Sequence, residues 1–346
     1  MQLYPLLFKP NLHSVVWGGK QLRPYKGLEP SDEPIGESWE VSAVPSSTSI
    51  INNGVWKGID LISVINEHPE AILGKKVSEK YNSKLPLLVK FIDAKRDLSI
   101  QVHPNDEMAM REHGKMGKSE MWYIIKADEN AHLYAGFKQE VTPKEYQKRI
   151  ADGTITEVLA DHKVKAGDVF YLPAGRVHAI CGGIMLAEVQ QSSDVTYRIF
   201  DYNRPGMDGK PRELHTELAA KALDYHVEAN YRTEYNNESD KAVQIIDSPY
   251  FDVRVMEINK SMHRNLIKYD SFIITMWIEG DCKVRVRSTG DEVILKEGNS
   301  LLIPAEIADY DIIPQGEKTR ILDAYIDNKD RGITHKITRF LHITKK

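Results

Sequence analysis

The stretch Lys165-Ala166-Gly167-Asp168-Val169-Phe170-Tyr171-Leu172-Pro173-Ala174 is echoed by Lys296-Glu297-Gly298-Asn299-Ser300-Leu301-Leu302-Ile303-Pro304-Ala305. Lys, Gly, Pro and Ala recur in register. Each copy reads as a glycine turn, a short apolar strand and a proline-containing turn, one structural unit used twice. Such a repeat predicts two related β-barrels joined by helices. The first copy runs on to His178, where the second has Asp309. The second barrel is therefore expected to lack chemistry, all the more because Phe272 falls about where a counterpart of Glu120 would stand.

The rest of the pattern agrees with a mainly β chain. Leu85 to Ile92, Leu98 to Val102, Met121 to Lys126 and Gly167 to Leu172 read as strands, and Ala179 to Val189 as a strand pair around Gly182-Gly183. Val253 to Ile258, Phe272 to Ile278, Val284 to Val286 and Leu301 to Ile303 continue the theme. Helices are predicted at Asp60 to Glu67, capped by Asp60, and from Thr142, where Thr, Pro and Glu form a helix start that Gly153 ends. A further helix is predicted at Arg212 to Tyr225. With 346 residues, 41% of them hydrophobic, at least two domains are expected, near 1–240 and 241–346. The first would carry a helical insertion at about 142–160 and a helical linker at about 212–226.

Composition excludes several partners. The net charge of −4 is spread without a basic stripe, which argues against nucleic acid. No run approaches a membrane span, and the start lacks a secretory leader. Cys181 and Cys282 form no disulfide framework, which fits a reducing compartment, with the cytoplasm as the default.

Four polar segments stand out. In Ser99-Ile100-Gln101-Val102-His103-Pro104, residues two apart share a face, so Ser99, Gln101 and His103 point one way. Spacing alone leaves open a barrel interior or a solvent-facing edge. Lys118 and Glu120 share a face at the start of an apolar strand. His178 follows a Pro/Gly turn into another. Together Gln101, His103, Glu120 and His178 offer two imidazoles and two oxygens without thiolate, a set suited to Zn²⁺ or another divalent first-row ion. The segment Glu188 to Arg204 is dense in polar groups, and Arg198 and Arg204 are suited to an anion.

These motifs, Ser-x-Gln-x-His-Pro, Lys-x-Glu, Pro-Ala-Gly-x-x-His and Gln-Ser-Ser-Asp-x-x-x-Arg, resemble type I mannose-6-phosphate isomerases of the short bacterial form. The likeness runs from Trp17-Gly18-Gly19 and Gly36-Glu37-Ser38-Trp39-Glu40-Val41-Ser42 to Arg204. It implies a fold that is mainly β with helices: two cupin (jelly-roll) β-barrels joined by a helical segment. It implies one zinc per chain, held by Gln101, His103, Glu120 and His178. It places an essential arginine at Arg198 with Asp194 in the same motif, and gives Ser99, Lys118 and Arg204 to the substrate and its phosphate. The expected substrate is a small sugar phosphate, and the expected assembly a monomer or homodimer.

The implied reaction moves a proton between C1 and C2 of an opened sugar through an enediol. Charge develops on oxygen, where a divalent cation and a guanidinium lower the barrier. Lys118, Asp194 and a water on the metal are the candidate proton carriers. Two other readings share the ligand set: a different metal-dependent cupin enzyme and a non-catalytic metal- or sugar-binding cupin. Retention of the whole polar set in the first barrel argues against the latter.

Overall fold

The computed structural model describes residues 2–328. Four antiparallel sheets carry the chain, which is mainly β. The first has the order Leu12–Gly19, Ile35–Val41, Leu87–Ala94, Ile184–Gln191, Glu120–Ala127, Val169–Leu172. The second has the order Tyr197–Phe200, Ile100–Val102, His178–Ile180, His132–Phe137, Leu159–Lys163. Beyond residue 240 two more sheets repeat this division, a four-stranded one and a larger one of five strands plus Leu6–Leu7, the larger having Ile273–Glu279 between Ser300–Ile303 and Thr319–Tyr325. In the smaller one Asp309–Pro314 lies between Met262–Asn265 and Cys282–Val286.

The mostly apolar strand Leu87–Ala94, broken only by Lys90 and Asp93, has its explanation here. It lies inside its sheet with neighbours on both edges, and every residue is buried. Two-sided burial erases the in–out alternation that marks a half-exposed strand.

The echoed segments adopt the same turn. Asp168 accepts from the amide of Lys165, and Asn299 accepts from that of Lys296. Gly167 and Gly298 take φ of +90° and +79°, which side-chain-bearing residues avoid. Gly167 N–H donates to Ile124 O, and Gly298 N–H to Trp277 O. This equivalence corrects one expectation. Glu120 pairs with Leu172, and the matching partner of Ile303 is Ile273, so Ile273 rather than Phe272 is the counterpart of Glu120. Asp309 opens its strand as His178 does, but its carboxylate meets His263 at 2.6 Å.

The helices follow their caps. Asp60 accepts from Ser63 N at the start of Leu61–Glu67, and Thr142 accepts from Glu145 N at the start of Pro143–Ala151. A short 3₁₀ turn, Ile155–Val158, completes the insertion. The helix expected at Arg212 to Tyr225 is confined to Thr216–Ala222. Its expected first turn is drawn onto strand Tyr197–Phe200 instead, where His215 N–H donates to Arg198 O, while Asp224 N–H is captured by Gly175 O. Past His103 a helix, Asp106–His113, is capped by Asn105.

The two halves are joined by hydrogen bonds. Leu6–Leu7 pairs with Leu301 and Leu302, adding an N-terminal strand to a C-terminal sheet. Lys26 bridges Glu40 at 2.6 Å and Gly298 O at 2.7 Å, in a nearly dry position. Asp270 accepts from the amides of Lys75 and Lys76 at the start of helix Lys75–Lys80.

Candidate active site

Strand register brings three of the four polar segments together. His178 and Gln101 are cross-strand partners, and Arg198 pairs with Gln101 on its other side. Glu120 arrives on the facing sheet, at the end of its strand. His103 lies one residue beyond strand Ile100–Val102, on the same face as Gln101. The inward row read from the sequence is thus a cavity wall, not a solvent edge.

Among the described residues, one group of three His, Cys, Asp or Glu side chains is arranged to hold a metal: His103, Glu120 and His178, with ligand atoms within 4.8 Å of one another, all buried. His103 Nε2 is 3.2 Å from Glu120 Oε1, and His178 Nε2 is 3.5 Å from Glu120 Oε2. Gln101 Nε2 lies 3.3 Å from His178 Nε2. Each imidazole is anchored through Nδ1 to a backbone carbonyl, Val195 O and Arg176 O, both at 2.9 Å. Those bonds leave Nε2 of both rings as the lone-pair nitrogen on the cluster side, where Lys118 Nζ stands 3.4 Å from His103 Nε2.

Burial sets the charges. It pushes His103 down to about 3, with Lys118 adding to the effect, and it lowers His178 as well. Both rings are therefore neutral near pH 7, the form that ligates metal. Burial opposes ionisation of Glu120, but Lys118, at 2.6 Å, and the two histidines outweigh it and hold the carboxyl well below its ordinary range. Glu120 Oε1 faces the Lys118 ammonium at 2.6 Å without a directed hydrogen bond, and Oε2 has no hydrogen-bond donor, an expensive state for a buried oxygen. The residues present fit a divalent metal ion.

The cluster borders a cavity of about 190 Å³ lined by Ser99, Gln101, Lys118, Asp194, Arg198 and Arg212, with Trp17, Trp39 and Trp122 among its apolar lining. Arg198 Nε donates to Ser99 Oγ at 3.3 Å and Nη1 to Glu213 O at 3.0 Å. Asp194 sits at the rim, half exposed and paired with Lys115 at 2.6 Å. Arg204 is turned away. Its guanidinium meets Asp201, and Arg212 rather than Arg204 reaches the lining.

The cavity also holds charges to which the sequence reading gave no role. Lys90 stands 3.1 Å from Glu188 and 3.4 Å from Glu37, all three within the lining. Trp122 donates to Glu188 and Trp39 to Glu37. Burial disfavours the charged form of Lys90, yet Glu188 and Glu37 more than compensate and raise its pKa. Burial, then Glu120, raises Glu188 against the pull of Lys90. A signal was present: Lys90 and Glu188 are lone charges in apolar strands, and a charge there requires a partner.

The chain is similar to known mannose-6-phosphate isomerases. Residues 6–142 match the model of the phosphomannose isomerase type I catalytic domain. The mannose-6-phosphate isomerase of Streptococcus mutans is 34% identical over 88% of this chain and 94% of its own. Bacillus subtilis mannose-6-phosphate isomerase ManA is 35% identical over 90% of this chain and 96% of its own. The crystal structure of mannose 6-phosphate isomerase from Bacillus subtilis superposes with a TM-score of 0.84 at 33% identity, covering 94% of this chain and all of that one. On sequence, fold and the residues it buries together, the chain belongs to the type I mannose-6-phosphate isomerase family.

Proposed function

We propose that the cavity beside Gln101, His103, Glu120 and His178 interconverts mannose 6-phosphate and fructose 6-phosphate. One observation carries the reading: His103, Glu120 and His178 cluster within 4.8 Å behind Gln101, Lys118 and Arg198, which line one cavity. A non-catalytic binding protein has no need of that cationic wall next to a metal-type cluster.

The four donors would hold the metal, with zinc favoured by the two imidazoles and the absence of thiolate. The Gln101 amide would turn to present Oε1, since a metal takes the oxygen end. When bound, a divalent ion polarises substrate oxygens and stabilises negative charge on them. The chain's own groups supply the rest. Arg198, positioned through Ser99 and Glu213 O, offers a guanidinium to the developing enediolate. Lys118 adds a second cation beside Glu120. For the proton between C1 and C2, Lys118 stands closer to the cluster than Asp194, which is engaged at the rim. Glu188, with its raised pKa, is a further carboxyl able to hold a proton in this cavity. The tryptophans exclude water from the apolar side of the lining.

We read the paired sheets as two cupin barrels dividing near residue 240, with the active site in the first. The shared turn at Gly167 and Gly298 supports that reading. The second barrel, with Ile273 and Asp309 at the matching positions, serves packing. An assay coupled to fructose 6-phosphate formation tests the activity. Turnover of mannose 6-phosphate supports it, and absence of turnover in metal-loaded protein overturns it.

A further inference from the structure

We propose that Arg212, held in place by Asp201, binds the phosphate of the sugar substrate, the task the family resemblance gives to Arg204. The inference rests on the isomerase reading of the cavity.

Asp201 is buried and accepts from two guanidiniums at once. Arg212 reaches it through Nε at 2.7 Å and Nη2 at 2.6 Å, and Arg204 through Nε at 3.1 Å and Nη2 at 2.9 Å. Of the two, Arg212 lines the cavity. Its Nη1 lies outside the bidentate pair with Asp201. A guanidinium fixed along one edge by a carboxylate keeps donors for a second oxyanion at little cost in side-chain entropy.

The backbone is built to bring these groups together. Segment 212–215 runs along strand Tyr197–Phe200, with His215 N–H donating to Arg198 O, which sets Arg212 beside Arg198. Pro205 and Pro211 face each other in a small hairpin closed by Gly206 N–H to Lys210 O. To enter it, Tyr202 and Asn203 take φ of +56° and +52°, two successive left-handed residues without a glycine. Strain of this kind persists only where surrounding contacts enforce it. Here the enforcing contact is Asp201 with its two arginines. The result is a cavity wall carrying Arg198 and Arg212, with Arg204 and Arg212 sharing the one buried carboxylate behind it, a surplus of positive charge matched to a phosphate dianion.

In this division Arg204 is a positioning residue that orients Asp201, and Arg212 touches the substrate. The phosphate's charge does not change along the reaction, so the contact acts on substrate binding and not on the chemical step. Arg212→Ala is expected to raise KM for mannose 6-phosphate about 10- to 100-fold, the worth of one charge-assisted pair. Its kcat should change by less than about threefold. The inhibition constant of inorganic phosphate should rise with KM. Arg212→Lys should recover part of both, and Arg204→Ala should raise KM by a smaller factor. Metal content and circular dichroism establish that each variant is folded. Parental KM and parental phosphate inhibition in Arg212→Ala, or a larger effect from Arg204→Ala, overturns the assignment. If the parent protein does not turn over mannose 6-phosphate, the isomerase reading fails separately. Calorimetric binding of inorganic phosphate then decides on Arg212: weakened binding in Arg212→Ala upholds a phosphate contact, and unchanged binding removes it.

Discussion

Gln101 stands directly opposite His178 across the pairing of strands Ile100–Val102 and His178–Ile180, and its Nε2 lies 3.3 Å from the imidazole Nε2. On its other flank Gln101 faces Arg198. Cross-strand partners project to the same side of a sheet. One backbone register therefore fixes the donor cluster and the arginine relative to each other. A single-residue slip of strand Ile100–Val102 would turn Gln101 out of the cavity.

The cluster predicts the effect of removing either ring. Metal analysis of the purified chain should find about one divalent ion per chain. His103→Ala and His178→Ala should each lose most of it. Zinc soaked into crystals should be ordered beside His178 and not beside Asp309, whose carboxylate is already taken by His263.

Arg198→Ala should lower kcat by about 10²–10³ while keeping metal and fold, because a guanidinium beside an enediolate stabilises charge that the bound substrate does not yet carry. Lysine at this position should restore little, since a point charge cannot keep both the Ser99 and Glu213 O contacts. Steady-state kinetics on mannose 6-phosphate make the measurement. A rise in KM with kcat intact would make Arg198 a binding residue.

Much of this was legible in the sequence, and what was missed has physical causes. The echo at Gly167 and Gly298 exposed the repeat because a glycine at positive φ and a proline at a strand end are local requirements. The row Ser99, Gln101, His103 exposed one shared polar face because side chains alternate along a strand, while spacing left open whether that face met a cavity or solvent. A charge in an apolar strand signals that Lys90 and Glu188 have buried partners, but which partners they meet, like the reach of Arg212 into the cavity, depends on long-range pairing that no local pattern encodes. Lys90 meets Glu188 only because their strands align. Arg212 reaches the cavity only because tertiary hydrogen bonds override the helical pattern of Arg212 to Tyr225.

Lys90→Met should be strongly destabilising. It leaves the Glu37 and Glu188 carboxylates buried around an uncharged side chain, and breaking a buried ion pair in this way costs about 3–5 kcal/mol. Glu188→Gln in the same chain should recover part of the loss. Urea unfolding of both variants measures it, and a loss under about 1 kcal/mol for Lys90→Met would show that the two acids are not dependent on the lysine.

Metal-free protein should lose stability as pH falls below about 6.5. His103 takes up a proton near that pH when unfolded but only at about 3 when folded. Between those values the unfolded state binds more protons, so acidification favours unfolding, by about 1.4 kcal/mol per pH unit for one such group. The lowered His178 adds in the same direction. Urea midpoints at several pH values should show this slope, and His103→Asn should flatten it.

The most direct test of the account is turnover of mannose 6-phosphate against metal content in a single preparation. The protein is stripped with a chelator, its residual metal is measured, and zinc is returned in steps. Fructose 6-phosphate formation should vanish in the stripped protein and rise linearly to a plateau at about one equivalent per chain. Full turnover by protein shown to be metal-free would contradict the account.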